Sequence, residues 1–289
     1  MGSPDPLRGV GKTALGVAVV RARESGREDR LFDDPYAQAF VDAAPEAFAQ
    51  ERQAAVPGGA GGRGELRALG AAFSAHAVIR TRFYDDWLTA AVSGGCGQVV
   101  LLAAGLDTRA FRLGWPPGTR VFEVDLPDVL TFKEAVLARC RAVPRCERVT
   151  VAADLRGDWA AELVAAGFDH ARPAAWLAEG LIIYLTAGEA GRLLGAVGDL
   201  STADGQLAFE HNPAGADAVA ARARQLPAMR PYTSLWKGGL DDAPGWLGQH
   251  GWRPRFHELT ALGRSYRRPV PGPARSGFLT AVRVSEPGA

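Results

Sequence analysis

The stretch Val99-Val100-Leu101-Leu102-Ala103-Ala104-Gly105-Leu106-Asp107 decides the fold: a short apolar run that breaks at a glycine. Such a run, too short for a helix and bounded by a turn, reads as a buried strand. Twenty residues after Gly105, a second run, Val121-Phe122-Glu123-Val124-Asp125, ends on a carboxylate. A doubly wound α/β sheet puts a glycine turn after its first strand and, at the end of its second, an acid that takes both ribose hydroxyls of a nucleotide. Against the dinucleotide pattern G-x-G-x-x-G, the first turn offers Ala103, Gly105 and Thr108. Two of the three glycines are missing, which argues against a nicotinamide or flavin held by its pyrophosphate. One glycine and a correctly placed acid point to a nucleoside ligand without a pyrophosphate, of which S-adenosylmethionine is the common one. The plain alternative is a packing glycine followed by a surface aspartate.

Further strands are expected at Arg148–Ala152, Ala174–Ala178 and Gln206–Phe209. Between the strands lie helical patterns at about 127–141, 158–166, 187–200 and 214–226. Strands alternating with helices of this length indicate a mostly parallel sheet covered on both faces. After a helix at about 243–250, two strand-like runs, Trp252–Leu259 and Phe278–Val284, follow without a convincing helix between them. The expected fold is therefore α/β and Rossmann-like: a doubly wound, mostly parallel seven-stranded sheet closed by a C-terminal antiparallel hairpin. Residues 1–92 read as an N-terminal helical cover or lid, and 93–289 as the core of one catalytic unit. In the cover, Thr13 caps a helix to about Glu24, Asp34-Pro35 opens another, and a long one runs from Glu65 to about Val92. The glycine-rich Pro57–Gly64 between them reads as a loop.

Composition narrows the function classes. The 289 residues carry 33 basic and 32 acidic side chains, and this near-neutral balance gives no reason to expect nucleic acid or anionic lipid as a partner. Three cysteines without a C-x-x-C pair fit a reducing, cytoplasmic setting better than a disulfide framework or zinc ribbon. The uncharged stretch from Trp87 to Leu106 is interrupted by Ser93-Gly94-Gly95-Cys96-Gly97-Gln98, so a helix end, a turn and a strand fit it better than a membrane span. Gly9-Val10-Gly11-Lys12-Thr13 resembles part of a phosphate-binding loop. Pro6 stands where that loop needs a glycine, and no strand precedes it. His250 and His257 lack the spacing of a metal site, and no metal is expected.

Two more acids stand at strand ends. Asp154 follows the third strand and suits an adenine amino group, with the Leu155 N–H on a ring nitrogen. Glu179 ends the fourth and suits a cationic α-amino group. Each acid alone reads as a solvated loop residue; their placement at successive strand ends, where such sheets bind ligands, joins them into one site.

The stretches LLAAGLDTRAFRL (101–113), FEVDLPDVLTFK (122–133), ADLRGDW (153–159) and WLAEGLIIYL (176–185) resemble the leucine carboxyl methyltransferase family. They are closest to its bacterial branch of S-adenosylmethionine-dependent O-methyltransferases, which includes polyketide-type tailoring enzymes. TALGVAVVRARES (13–25), RLFDDPYAQAF (30–40), IRTRFYDD (79–86) and WLGQHGW (246–252) are similar too. The resemblance implies S-adenosyl-L-methionine as cofactor, with Arg80 or Arg82 meeting its carboxylate and Ala103 and Gly105 lining its turn. It places Asp125 and Leu126 at the ribose, Asp154 and Leu155 at the adenine, and Glu179 at the amino group. Arg21 or Arg23 would reach the cofactor or acceptor. The family usually has glycine where Ala103 stands, and alanine is sterically mild there if its φ is negative.

The implied reaction is an in-line methyl transfer to the carboxylate of a small molecule, a polyketide-like product or small acid. The alternatives are a phenolic or alcoholic hydroxyl and a peptide C-terminal carboxylate. A carboxylate is already ionised and wants orienting cations, whereas a phenol benefits from a base. Arg21, Arg23, Tyr184, His211 and Arg230 are the candidates for these roles, His211 because it directly follows the fifth strand. The segment Leu226–Gly245, with Met229, Tyr232, Leu235 and Trp236, reads either as a lid over the acceptor or as ordinary packing. A nicotinamide-dependent oxidoreductase and a non-catalytic binding protein are the competing classes. The oligomeric state is open.

Overall fold

The computed structural model describes residues 10–45, 60–212, 218–225, 229–270 and 276–284. Strands β1 (Gln98–Leu102) and β4 (Ala174–Ala178) are buried at every position, which explains their unbroken apolar runs. Around them lie β2 (Arg120–Asp125), β3 (Glu147–Ala152), β5 (Gln206–His211), β6 (Trp252–Glu258) and β7 (Gly277–Arg283), in the order β3-β2-β1-β4-β5-β7-β6. β1 to β5 pair in parallel; β7 is antiparallel to both β5 and β6. The sheet is thus the expected seven-stranded one. The strand order reverses between β1 and β4, which puts a crevice at their C-terminal ends.

Helix α1 (Val10–Ser25), α2 (Ala37–Asp42) and α3 (Ala60–Ser93) cover one face of this sheet. Leu15, Phe40, Ile79 and Leu88 from these helices share one buried cluster with Val99, Leu101, Val121 and Leu177 from the strands. The other face packs against α6 (Trp159–Ala165) and α7 (Ala187–Asp199), after α4 (Arg109–Arg112) and α5 (Pro127–Arg139) in the chain. Its strand side chains are Val100, Phe122, Trp176 and Phe209. Alternation along each strand therefore assigns every side chain to one of the two faces. Helix α7 opens with a capping box in which Thr186 and Glu189 satisfy each other's backbone amides. Beyond it come α8 (Ala218–Gln225), α9 (Arg230–Thr233), α10 (Ala243–Gln249) and α11 (Leu259–Ser265). No described helix is long and apolar enough to cross a membrane.

Three local expectations are corrected. Residues 60–64 of the glycine-rich stretch belong to α3, because extending an existing helix needs no new nucleus; residues 57–59 lie outside the described residues. α11 stands between β6 and β7, so the C-terminal pair is no tight hairpin. Its seven residues carry an internal Gly263, and burial of Leu259 and Leu262 against α3's cluster stabilises it. The third concerns Ala103, whose φ is +52°, close to Gly105 at +50°. The turn needs this left-handed step so that the Ala104 N–H reaches the Val124 carbonyl at 3.1 Å and the chain folds back over β2.

A left-handed alanine carries a steric penalty that glycine avoids. Ala103→Gly is therefore expected to raise unfolding stability by about 1 kcal/mol in a denaturant titration. A loss of stability would mean that the Ala103 methyl contributes packing that outweighs the strain.

Candidate functional site

Five successive strands, read across the sheet as β3-β2-β1-β4-β5, carry Asp154, Asp125, Gly105, Glu179 and Glu210 at or just past their C-terminal ends. The Gly105 N–H donates to Asp125 Oδ2 at 2.6 Å, and the Leu126 N–H donates to Oδ1 at 2.7 Å. The carboxylate is thereby fixed at the crevice. Burial pushes the Asp125 carboxyl above the usual aspartate value against the pull of these amides. Above this turn sits α1: a Cβ on Gly105 would meet the Ala14 Cβ at 3.6 Å.

Arg109, 2% exposed, lies at the centre of the site. Its Nε donates to Asp85 Oδ1 at 2.7 Å and one terminal nitrogen donates to Glu179 Oε2 at 2.7 Å; the same nitrogen also binds Asp107. Arg112 forks onto Asp85 at 2.6 and 2.7 Å. On the other side, Arg80 bridges Glu179, 2.8 Å from its Nε, and Glu210, 2.6 Å from a terminal nitrogen. Glu210 also accepts from the Gly180 N–H, pinning the turn that follows β4. Burial alone would raise the Glu179 carboxyl, but Arg109 and Arg80 hold it below its ordinary value. Asp107 shows the same balance, with Arg109 first among the cations that bring its carboxyl to about 2.

Arg21 connects the helical cover to this network. It donates to the Leu106 carbonyl at 2.7 Å and lies 3.2 Å from Asp34, which also accepts from the Thr108 hydroxyl at 2.8 Å. Its head group thus holds α1 onto the glycine turn. Arg82 does not join: two positions from Arg80 on a helix, it points to another side and donates to Leu31 O and Asp86. Asp154 lies at the surface clasped by Arg156, whose guanidinium reaches it at 2.6 Å, and Leu155 packs beside it on the α6–α7 side. Tyr184 ends a half-buried 3-10 turn, Ile182–Tyr184. Residues 237–239 bond to this turn through the Ile183 and Leu185 carbonyls, whereas 226–228 of the expected lid lie outside the described residues.

His211 is placed differently from expectation. β5 extends through it, so strand alternation turns it with Leu207 and Phe209 to the face opposite Glu210. There it meets the Phe256 ring edge-on, and burial lowers its basicity against the opposing pull of Asp242 and Asp241. It does not face the Arg80–Glu179–Glu210 cluster. A surface hollow of about 280 Å³ beside Val20, Arg23, Ser74, Val78 and Arg268 shares no residue with that cluster either.

The leucine carboxyl methyltransferase family profile matches residues 14–198, from α1 through almost all of α7. The chain belongs to the leucine carboxyl methyltransferase family. A relative from Parafrankia sp., 52% identical over 279 residues, spans 96% of this chain and 88% of its own length. One from Streptomyces coelicolor is 44% identical over 292 residues, 95% of this chain and 96% of its own. Both carry the provisional name of S-adenosyl-L-methionine-dependent methyltransferase. Among solved structures, a DUF574-family protein from Streptomyces avermitilis superposes with a TM-score of 0.56 at 17% identity, covering 94% of this chain and 97% of its own. That likeness concerns the fold alone.

In this member of the leucine carboxyl methyltransferase family, sequence reasoning missed Arg109, Asp85, Asp107 and Glu210. Glu210 carried a readable signal, since it follows the apolar run ending at Phe209 as Glu179 follows the one ending at Ala178. Arg109 carried none, because two of its three carboxylate partners lie 24 and 70 positions away.

Removing Arg109 leaves Asp85, Asp107 and Glu179 short of their common cation. Arg109→Ala is expected to cost about 3–5 kcal/mol of unfolding stability, measured by denaturant titration; a cost below about 1 kcal/mol would deny it the central role. The pH dependence has a definite sign. A carboxylate depressed in the folded state stabilises the fold above its ordinary value, 3.8 for Asp107, and loses that contribution as pH falls towards about 2. The melting temperature should therefore fall steeply through this window, and a flat profile would contradict the pairing.

Proposed function

We propose that this S-adenosylmethionine-dependent methyltransferase delivers the methyl group to a carboxylate oxygen of a small molecule. The observation that supports the donor site is the pairing of two features at neighbouring strand ends, the Gly105–Asp125 turn beside the Arg80–Glu179 pair; the carboxylate acceptor is what the family resemblance implies. A nucleoside with an amino-acid tail matches that pairing in length order and in charge. The residues fit the cofactor electrostatically as well. Arg21, Arg80, Arg109 and Arg112 face Asp34, Asp85, Asp107, Glu179 and Glu210, leaving one surplus negative charge, to which Asp125 adds a second beside the network. The ammonium, carboxylate and sulfonium of the methyl donor sum to one positive charge.

Asp125 would accept from the ribose hydroxyls, with the Leu126 amide beside it and Ala103 and Gly105 lining the turn. Asp154 and Leu155 would take the adenine edge, Asp154 by exchanging Arg156 for the exocyclic amine. Glu179 would hold the ammonium, and Arg80 the carboxylate. When bound, the sulfonium supplies an electrophilic methyl carbon open to in-line displacement. The chain's own contribution is positioning and exclusion of water. α1, fastened by Arg21, covers the glycine turn, and residues 1–92 act as the cover of a single catalytic unit. Tyr184, beside the strap formed by residues 237–239, orients the acceptor. A carboxylate acceptor is ionised at neutral pH and needs no general base, so the turned-away His211 is not required.

Incubation with methyl-labelled donor and a panel of acids, phenols and alcohols tests the reading. Base-labile label on an acid is expected; base-stable label on a hydroxyl would replace the carboxylate by that acceptor, and label on nitrogen would overturn oxygen transfer. Asp125→Asn should weaken donor binding by at least about tenfold in calorimetry, as loss of a charged acceptor for the ribose hydroxyls implies. Unchanged affinity would remove Asp125 from the site.

A further inference from the structure

Arg80, Thr81, Tyr84 and Asp85 share one stripe of α3, spaced as neighbouring turns of a helix. Arg80 and Asp85 from this stripe already reach the ionic cluster. Tyr84 lies between them, 0% exposed, and its hydroxyl has no hydrogen-bond partner among the described residues. The Thr81 hydroxyl, 1% exposed, is in the same condition. Two orphaned hydroxyls on one helical stripe are unusual, because folded proteins pair nearly all their buried polar groups.

The Tyr84 ring is fixed by its neighbours. It packs against Phe278 with ring centroids 5.3 Å apart and against Phe83 at 5.4 Å. Phe278 on β7 is the direct cross-strand partner of Glu210, so the tyrosine stands next to the Arg80–Glu210 pair. Burial, reinforced by Glu210 and Glu179, pushes the phenol well above its ordinary value, so it stays a protonated donor at any physiological pH.

We propose that the Tyr84 hydroxyl is a cofactor-binding donor which, with the Arg80 guanidinium one helical turn earlier, holds the carboxylate of the methyl donor's amino-acid end. The inference rests on the methyltransferase reading above and adds a residue to it. An arginine supplies charge to a carboxylate, and a neutral donor at a fixed angle supplies direction. The ring packing that fixes the hydroxyl is independent of the hydroxyl itself, so the two are separable by mutation.

Tyr84→Phe keeps the ring and deletes only the donor. In the ligand-free protein the variant should melt at the same temperature as the wild type or higher, because no internal hydrogen bond is lost. Calorimetry with S-adenosylhomocysteine should show about three- to tenfold weaker binding, the worth of one hydrogen bond. Methylthioadenosine, which lacks the amino-acid end, should bind both proteins equally. Equal affinity of the two proteins for S-adenosylhomocysteine would overturn the inference while leaving the methyltransferase reading intact. A lower melting temperature would show that the hydroxyl serves the fold, and equal weakening towards methylthioadenosine would show a non-specific disturbance; either result overturns it. Failure of the wild type to bind S-adenosylhomocysteine would overturn the methyltransferase reading itself, and this inference with it.

Discussion

The arrangement of the site depends on one buried guanidinium. Arg109 opens α4, just past the turn that follows β1, and binds Asp85 of the helical cover, Asp107 of that turn and Glu179 at the end of β4. These three groups belong to elements that share no local sequence, so their relative positions are set by one cation that must find partners where water is absent. A buried charge of this kind gives little net stability when complete and costs much when broken. Its effect is on geometry: it holds the cover, the first turn and the fourth strand end in one register at the crevice where the strand order reverses.

Around that anchor, the other groups differ in how firmly they are held. Asp125 is fixed by two backbone amides and so is organised by the chain itself. Arg80 is shared between Glu179 and Glu210, two carboxylates on neighbouring strands. The network carries a surplus of negative charge, and the turn beside it takes left-handed steps at Ala103 and Gly105. Arg21 and Asp34 extend the network to α1, which is thereby fastened to the ionic cluster.

Much of this was legible in the sequence because the fold makes it so. A strand that ends in a turn exposes its last residue at the sheet edge, so Gly105, Asp125, Asp154 and Glu179 could be read as neighbours from four separate stretches. What stayed hidden required three dimensions. The choice between Arg80 and Arg82 depends on helix phase, which the repeated arginine does not reveal. The sequence places His211 just past a strand ending at Phe209, whereas two more residues of strand turn it to the face opposite Glu210. The sign of φ at Ala103 follows from how the turn packs over Val124, and no local preference of alanine announces it.

The central claim is that the ends of β1 to β4 form one site for S-adenosylmethionine, organised by Arg109 and Arg80. A crystal structure with S-adenosylhomocysteine bound tests it most directly. The account predicts the ribose on Asp125, the adenine edge on Asp154 and Leu155, the ammonium on Glu179 and the carboxylate on Arg80, with Arg109 still joined to Asp85 and Asp107. A ligand seated elsewhere, or bound here with its amino-acid end away from Arg80 and Glu179, would contradict it.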